Sequence, residues 1–280
     1  MAKVAFLGTG LLGSAMVEGM LRRGDAVTVW NRTASKAQAL ESFGAKTANS
    51  PSEAVAGAAR VHMTLSDDAS VDGLIAEFAP ALGKDAVLID HTTTAPSGTI
   101  ARYAAMQKRG VRFLHVPVFM SPDMARHSQG MLMSSGPEDL FNAVREPLSQ
   151  MSGDAWYIGD DPGRAASYKL FGNSMLFVIT AGLADVFAMA KNLGLTAPEA
   201  IEVFSKFQAG NAIKARGDKM ARGDLSATFE LTMARKDIRL MIEAAGQEPL
   251  LVLKGMAQRM DEAIADGHGS KDLAAIMLTR

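Results

Sequence analysis

The chain has 280 residues, of which 48% are hydrophobic and 21% charged, and its formal net charge is −1. This composition is typical of a soluble globular protein, and the near-zero charge excludes strong electrostatic attraction to nucleic acid or to a membrane surface. The absence of cysteine excludes disulfides, thiolate metal sites and cysteine nucleophiles. We therefore expect a cytoplasmic protein with no bound metal, no nucleic-acid partner and no membrane partner.

The N-terminal segment predicts a strand, a glycine-rich turn and a helix in that order. The apolar run at 4–7 leads directly into Gly8-x-Gly10-x-x-Gly13, and a helical pattern continues to Arg23. In this context the first glycine permits a tight turn, the second lets a pyrophosphate approach the backbone, and the third lets the helix pack against the strand. The N–H groups at the helix N-terminus attract phosphates. We expect a dinucleotide site formed by Gly8, Gly10, Leu11, Leu12 and Gly13.

A second predicted strand, at 26–30, ends in Asn31-Arg32-Thr33. A site for NAD usually has Asp or Glu here, because a carboxylate accepts a hydrogen bond from the ribose 2′-OH. Asn31 carries no charge that would repel a 2′-phosphate. Arg32 can pair with that phosphate and stack on the adenine, and the Thr33 hydroxyl can donate to it. The sequence therefore favours NADP (NADPH) over NAD; the alternative is a solvated Arg32 in a site that accepts either cofactor.

Strand-like and helix-like segments alternate up to about residue 160. Further strands are predicted at 60–65, 85–90, 111–118, 131–134 and 155–158. Such alternation is typical of βαβ units around a mainly parallel sheet, whose ligands gather at the carboxyl ends of the strands. The loops expected at that edge are 8–13, 31–33, 65–68, 92–96 and 119–122.

No strand pattern follows the turn at 159–163. One long helix is predicted at 164–193, and further helices are predicted at about 197–207, 231–246, 249–266 and 270–279. The fold class is therefore α/β: an N-terminal Rossmann doubly wound sheet at 1–162, followed by an all-helical C-terminal domain at 163–280.

The long helix contains an uncharged stretch, 170–184, that is apolar nearly all round. A helix of this kind is buried on most sides or spans a membrane. The stretch is too short to span, and Asn173, Ser174 and Thr180 interrupt it. We therefore expect this helix to be buried between domains or subunits of a homodimer or homotetramer.

Lys169 stands at the start of this apolar stretch, and Asn173 lies four residues later on the same helix face. Burial lowers the pKa of an amine, which makes it a useful general acid or base near neutral pH. Asn173 can hold the amine or a substrate oxygen without adding charge. A Lys169 that reaches solvent, with Asn173 packed against backbone, is an equal alternative from these residues alone.

Together these motifs resemble the β-hydroxyacid dehydrogenase family, which includes 3-hydroxyisobutyrate dehydrogenases and glyoxylate/succinic semialdehyde reductases. The resemblance rests on GTGLLGSAM at 8–16, WNRT at 30–33, DHTTTAP at 90–96, GRAASYKLFGN at 163–173 and the segment 229–237. It implies hydride transfer between a nicotinamide and a carbonyl carbon, with Lys169 as the proton donor or acceptor and Asn173 as the orienting group. Cofactor contacts are then expected from Leu65, Ser66, Thr93, Phe229 and Lys236, and substrate contacts from Thr92, Met120, Ser121, Lys169 and Asn173.

One segment departs from the family pattern. The family has D-x-P-V-S-G-G, whose serine and glycine N–H groups hold a substrate carboxylate, whereas this chain has HVPVFMS at 115–121. Phe119 and Met120 are bulky, and the following Pro122 has no N–H to donate. The anion cradle is therefore weakened, and a larger or more apolar carbonyl substrate is expected.

The leading hypothesis is an NADPH-dependent reductase or dehydrogenase that interconverts a small carbonyl compound and a hydroxy compound. The segment 120–136 also resembles imine reductases, which usually have Asp or Tyr in place of Lys169. Imine reduction is therefore the second hypothesis. The third is a non-catalytic nucleotide-binding module that recognises a partner; such relatives often lose the lysine that this chain keeps.

Overall fold

The computed structural model describes residues 3–278, which divide by their contacts into two units. The first unit ends at Asn173 and the second begins at Ser174. The division falls inside the long helix. The domain boundary predicted from the sequence lies at the start of that helix, whereas the first turns of the helix belong by their contacts to the first unit.

A six-stranded parallel sheet forms the centre of the first unit. Its strands run in the order β3-β2-β1-β4-β5-β6, which is the order of a doubly wound dinucleotide-binding sheet. The predicted Rossmann fold is thereby confirmed. The strands are β1 (Val4–Leu7), β2 (Val27–Trp30), β3 (Lys46–Thr47), β4 (Arg60–Met63), β5 (Val87–Asp90) and β6 (Arg112–His115).

Helices cover both faces of this sheet, and alternate residues of each strand point to opposite faces. In β1, Val4 and Phe6 belong to one core cluster, and Ala5 and Leu7 belong to the other. Because both faces are covered, all four residues are fully buried. The helices that follow these strands are α1 (Leu11–Arg22), α2 (Ala34–Gln38), α3 (Pro51–Val55), α4 (Asp68–Phe78) and α5 (Pro96–Lys108).

A second, three-stranded sheet follows the first in the same unit. The single strand predicted at 111–118 is wrong: β6 ends at His115, and β7 (Val118–Phe119) pairs antiparallel with β8 (Met131–Ser134) in the second sheet. Pro117 stands at the break, where it has no N–H to continue a ladder. The remaining elements are α6 (Pro122–Arg126), α7 (Glu138–Ser152) and β9 (Ala155–Tyr157).

The long predicted helix is α8 (Arg164–Asn192), and the rest of the second unit is mostly helical. The helix predicted at 270–279 is wrong, since the described residues form only a short 3-10 helix there, Leu273–Met277. A further helix, α10 (Ala209–Ala221), was not predicted from the sequence, and none of its residues is buried. The helices are α9 (Ala197–Glu202), α10 (Ala209–Ala221), α11 (Leu231–Ala245) and α12 (Leu253–Ala263).

Within residues 3–278, α8 is the one helix long and apolar enough to cross a membrane by length and composition. Its most apolar window has a mean hydropathy of 1.6, so the expectation that this segment is too short to span holds only for its uncharged stretch. The first turn of α8 packs instead inside the first unit, where Ala165 joins a buried cluster with Met133 and Ile158. A core helix of a soluble protein can be as long and as apolar, but it is mostly buried, whereas only 6% of this window is buried within the single chain.

Candidate cofactor and active site

The glycine turn after β1 has a geometry that only glycine permits at two of its positions. Gly8 has a φ of +92°, and a Cβ there would overlap the carbonyl oxygen of Thr64. A Cβ on Gly13 would overlap the carbonyl oxygen of Gly8, so the third glycine allows α1 to approach the turn. Gly10, in contrast, has nothing within 4 Å of where its Cβ would be. The backbone at Gly10 is therefore open to an approaching group.

The N-terminus of α1 carries no side-chain cap and no acidic residue in its first turn. Its first N–H groups are consequently free, and they lie at the positive end of the helix dipole. Leu11 is 78% exposed, although it follows a fully buried strand. An open glycine backbone beside uncapped N–H groups fits the pyrophosphate of a dinucleotide.

These groups line one cavity of about 600 Å³ in the first unit. The cavity brings together three predicted segments: the glycine turn, the end of β2 and the loop after β4. Trp30, Lys36 and Ser70 also line it, although the sequence analysis did not select them. The predicted cofactor residues that line it are Gly8, Gly10, Leu11, Leu12, Gly13, Asn31, Arg32, Thr33, Leu65 and Ser66.

Asn31 fixes the end of β2 to the glycine turn. Its Oδ1 accepts a hydrogen bond from the Thr9 N–H at 3.0 Å, and its Nδ2 donates to the Thr33 carbonyl at 3.0 Å. Both ends of the side chain are thus engaged within the protein. Arg32 and Lys36 are exposed, and they place two positive charges on the cavity wall beside the Asn31 side chain.

The loops after β4 and β5 are tied together by Thr92. Its hydroxyl accepts from the Leu65 N–H at 3.0 Å, and its own N–H donates to Asp90 Oδ1 at 3.0 Å. Thr92 is buried by these contacts, whereas the next residue, Thr93, is exposed. The expected contact between Thr92 and the substrate stays a prediction, and Thr93 is the more accessible of the two.

A chain of two buried histidines underlies the same loops. His91 Nδ1 lies 2.7 Å from the Val116 carbonyl, so this nitrogen must carry the proton that it donates. His91 Nε2 then accepts from His62 Nδ1 at 2.9 Å. Burial lowers the pKa of His91 to about 4, and it lowers the pKa of His62 well below its ordinary value. Both rings are therefore neutral, and they fix the strand ends at β4, β5 and β6 relative to one another.

Lys169 lies near the start of α8, and its Nζ lies 4.2 Å from the centroid of the Phe119 ring. The side chain is half-buried, and burial lowers the pKa of its amine. Asn173 is one helical turn later and is also partly buried. The structure thus places a half-buried amine beside an aromatic face, and the catalytic role of Lys169 stays a prediction.

The segment after β7 presents few free polar groups. The Ser121 hydroxyl accepts from the Met124 N–H at 3.2 Å and so caps α6, and Pro122 occupies the first position of that helix. Met120 is partly buried and packs against the larger core cluster of the first unit. The weakened anion cradle expected from the sequence is consistent with these contacts.

Two predicted cofactor residues, Phe229 and Lys236, belong to the second unit. The Phe229 N–H donates to Asp272 Oδ2 at 3.2 Å, and Lys236 pairs with the neighbouring Asp237 at 2.7 Å. Their expected role at a nicotinamide stays a prediction. Among the described residues, no group of three or more His, Asp or Glu side chains is arranged to hold a metal ion.

Two family models together match nearly the whole chain. Residues 3–159 match the NAD binding domain of 6-phosphogluconate dehydrogenase, and residues 163–279 match the NAD-binding domain of NADP-dependent 3-hydroxyisobutyrate dehydrogenase. This chain belongs to the β-hydroxyacid dehydrogenase family. It is therefore an NAD(P)-binding reductase of the hydroxyacid dehydrogenase type, and the predicted resemblance is confirmed.

Individual relatives agree with this assignment. The chain is 30% identical to an uncharacterized oxidoreductase of Shewanella frigidimarina, over 88% of this chain and 86% of that protein. It is 28% identical to 3-sulfolactaldehyde reductase of Escherichia coli, over 99% and 95% of the two chains. The structure of an imine reductase from Myxococcus stipitatus in complex with NADP+ covers 98% of both chains with a TM-score of 0.90. At 21% identity, that likeness shows a shared fold.

Proposed function

We propose that this protein is an NADP(H)-dependent oxidoreductase that interconverts a carbonyl compound and a hydroxy compound, with Lys169 as the general acid and base. The observation that carries the proposal is the half-buried Lys169 amine, whose pKa is lowered by burial. Such an amine exchanges protons near neutral pH more readily than a solvated lysine does. Membership of the family supports the reaction class.

The cofactor would lie along the cavity of the first unit, with its pyrophosphate at Gly10 and the N-terminus of α1. Arg32 and Lys36 would face a 2′-phosphate, and this pair of charges is the reason for proposing NADP over NAD. When bound, NADPH supplies the hydride that reduces the carbonyl carbon. Thr93, Phe229 and Lys236 are the proposed contacts to the nicotinamide portion.

Lys169 would move the proton that accompanies reduction. Its ammonium form would donate from Nζ to the carbonyl oxygen as negative charge develops there, and its amine form would take the proton back in the oxidation. Asn173, four residues later on α8, would hold the substrate oxygen through its side-chain amide. Thr92, Met120 and Ser121 are the other proposed substrate contacts.

A second candidate function is the reduction of an imine. Phe119 beside Lys169 and the adjacent Met120 favour a substrate without charge, and a solved imine reductase shares the fold. Lys169 would then donate its proton to the imine nitrogen instead of a carbonyl oxygen. The reaction would otherwise use the same cofactor cavity.

We also propose that the working form is a homodimer or a homotetramer. Apolar side chains of α8 are exposed in the single chain; Phe171 and Phe177 are each 67% exposed, and Leu176 is 54% exposed. Contiguous exposed apolar surface of this kind is characteristic of an interface. A second copy of the chain would cover it.

A substrate screen tests the proposed reaction. Aldehydes, ketones, keto acids and cyclic imines are mixed with the protein and NADPH, or with NADH in parallel, and the loss of reduced nicotinamide absorbance is followed. Turnover of a carbonyl compound is expected, faster with NADPH. Turnover of imines alone favours the second candidate. NADPH binding without turnover of any compound contradicts both and favours a non-catalytic module.

A further inference from the structure

We propose that Phe119 is a specificity-determining residue, which reserves the Lys169 site for uncharged carbonyl substrates with an apolar substituent. The proposal rests on the proposed function of Lys169 and adds the substrate class. It is carried by the position of the Phe119 ring, by the two glycines that make room for this segment, and by the engagement of the Ser121 hydroxyl in the cap of α6.

The aromatic ring directly faces the amine. Lys169 Nζ lies 4.2 Å from the Phe119 ring centroid, within the range in which a cation is attracted to a π-face. Burial is the cause of the lowered pKa of Lys169, with no charged neighbour contributing to the shift. The amine of Lys169 thus has the negative face of an aromatic ring as its neighbour, instead of the carboxylate with which a lysine usually pairs.

The ring is held in this position by close packing. A Cβ at position 172 would overlap three carbon atoms at the tip of the Phe119 ring, so Gly172 lets the ring lie against the backbone of α8. Gly130, whose φ is +110°, makes room in the same way for Met120 and for the Phe119 carbonyl. The ring also packs against the buried cluster that includes Ala165. The contacts with Gly172 and with this cluster hold the ring beside the amine.

The side chains of this segment offer a substrate carboxylate no free donor. The Ser121 hydroxyl is used to cap α6, and Pro122 has no N–H. A carboxylate would have to be desolvated beside the ring, and it would pair with Lys169 itself. That pairing would stabilise the ammonium form and so make it a weaker proton donor to the carbonyl oxygen. An uncharged aldehyde or ketone with a hydrocarbon substituent meets neither obstacle.

A matched pair of substrates tests the proposal. Succinic semialdehyde carries a carboxylate, and its methyl ester has the same aldehyde without the charge. We expect the wild-type protein to have a kcat/KM about tenfold or more higher for the ester. In Phe119→Ser this preference falls by about tenfold, and the pH dependence of kcat moves upward because water reaches the Lys169 amine.

Three comparisons keep the outcome interpretable. Phe119→Leu retains an apolar side chain and is expected to keep the ester preference even if Phe119→Ser folds poorly. Phe43→Ser changes an exposed phenylalanine outside the site. It is expected to leave kcat/KM for both substrates unchanged. NADPH affinity, measured by fluorescence, is expected to be the same in all of these proteins.

The two proposals fail in different ways. Equal or greater turnover of the free acid by the wild type, or an unchanged preference in Phe119→Ser, overturns the role of Phe119 and leaves the reductase proposal standing. Absence of NADPH oxidation with every carbonyl compound overturns the reductase proposal, and the role of Phe119 falls with it.

Discussion

At the residue scale, neighbouring side chains at the end of β2 have different roles: one shapes the cavity, and the others face a ligand. Asn31 has both polar ends bonded inside the protein, so it shapes the cavity, whereas Arg32 and Lys36 are left free to meet a ligand. The sequence indicated Arg32 because it replaces the usual acidic residue. It did not indicate Lys36, since a lysine at the start of a short helix is common, and the cavity alone selects it.

Removal of the Arg32 charge is expected to discriminate between the two cofactors. Arg32→Ala should weaken NADPH by about tenfold to a hundredfold, because a charge-assisted bond to the 2′-phosphate is lost, and it should leave NADH nearly unchanged. The dissociation constants are measured by titration of nicotinamide fluorescence. Lys46→Ala, which removes an exposed charge on β3, is the control and should alter neither constant. Equal losses for NADPH and NADH would contradict the 2′-phosphate assignment.

At the element scale, the sequence predicts the elements whose signal is local. The strand, glycine turn and helix at 4–22 follow from spacing within a few residues, and the β1–α1 elements were predicted with their glycine roles. The failures have physical causes at longer range. Pro117 divides one apolar run between two sheets, α10 buries no residue, and β3 has only two residues.

The buried histidines show the same limit. His62 and His91 are 29 residues apart in sequence, and no local pattern predicts that their rings share a hydrogen bond. The contact depends on β4 and β5 being neighbours in the sheet. These rings connect the ends of strands whose loops line the cavity. Protonation of the rings is therefore expected to destabilise this edge of the sheet.

The histidine chain predicts a loss of stability in mild acid. The pKa of His91 is lowered to about 4 in the folded protein from an ordinary 6.5. Between these values the unfolded chain binds the additional proton, so the free energy of unfolding falls as the pH decreases from about 6.5 to about 4. His91 contributes up to about 3 kcal/mol to this loss. Urea unfolding across that interval measures it.

Two variants isolate the histidine contribution. His91→Asn removes the titrating ring, so it should be less stable at neutral pH and should depend less steeply on pH. His127→Gln changes an exposed histidine and should retain the steep dependence of the wild type. The histidine account fails if His91→Asn keeps the wild-type slope.

At the scale of the whole molecule, α8 is the element that most needs a partner. The helix is long and apolar enough to cross a membrane, and only 6% of its most apolar window is buried within the single chain. The exposed apolar side chains of this helix support the proposal that a second copy of the chain covers it.

We expect the protein to be a dimer or tetramer at micromolar concentration. Phe177→Glu places a charge on the exposed apolar surface of α8 and should shift the protein to a monomer, because a buried unpaired carboxylate is costly. Light scattering coupled to size-exclusion chromatography measures the mass. Phe43→Glu, on a different exposed phenylalanine, should leave the oligomer intact. A wild-type protein that is monomeric at these concentrations would contradict the proposed assembly.

The whole account depends on proton transfer by one amine, and steady-state kinetics of Lys169→Ala with NADPH test this most directly. Lys191→Ala, on the same helix and paired with Glu248, is the matched control. We predict that Lys169→Ala lowers kcat by about 10²–10⁴-fold while NADPH still binds, and that the control keeps wild-type turnover. Near-wild-type kcat in Lys169→Ala, with carbonyl reduction intact, would contradict the assignment.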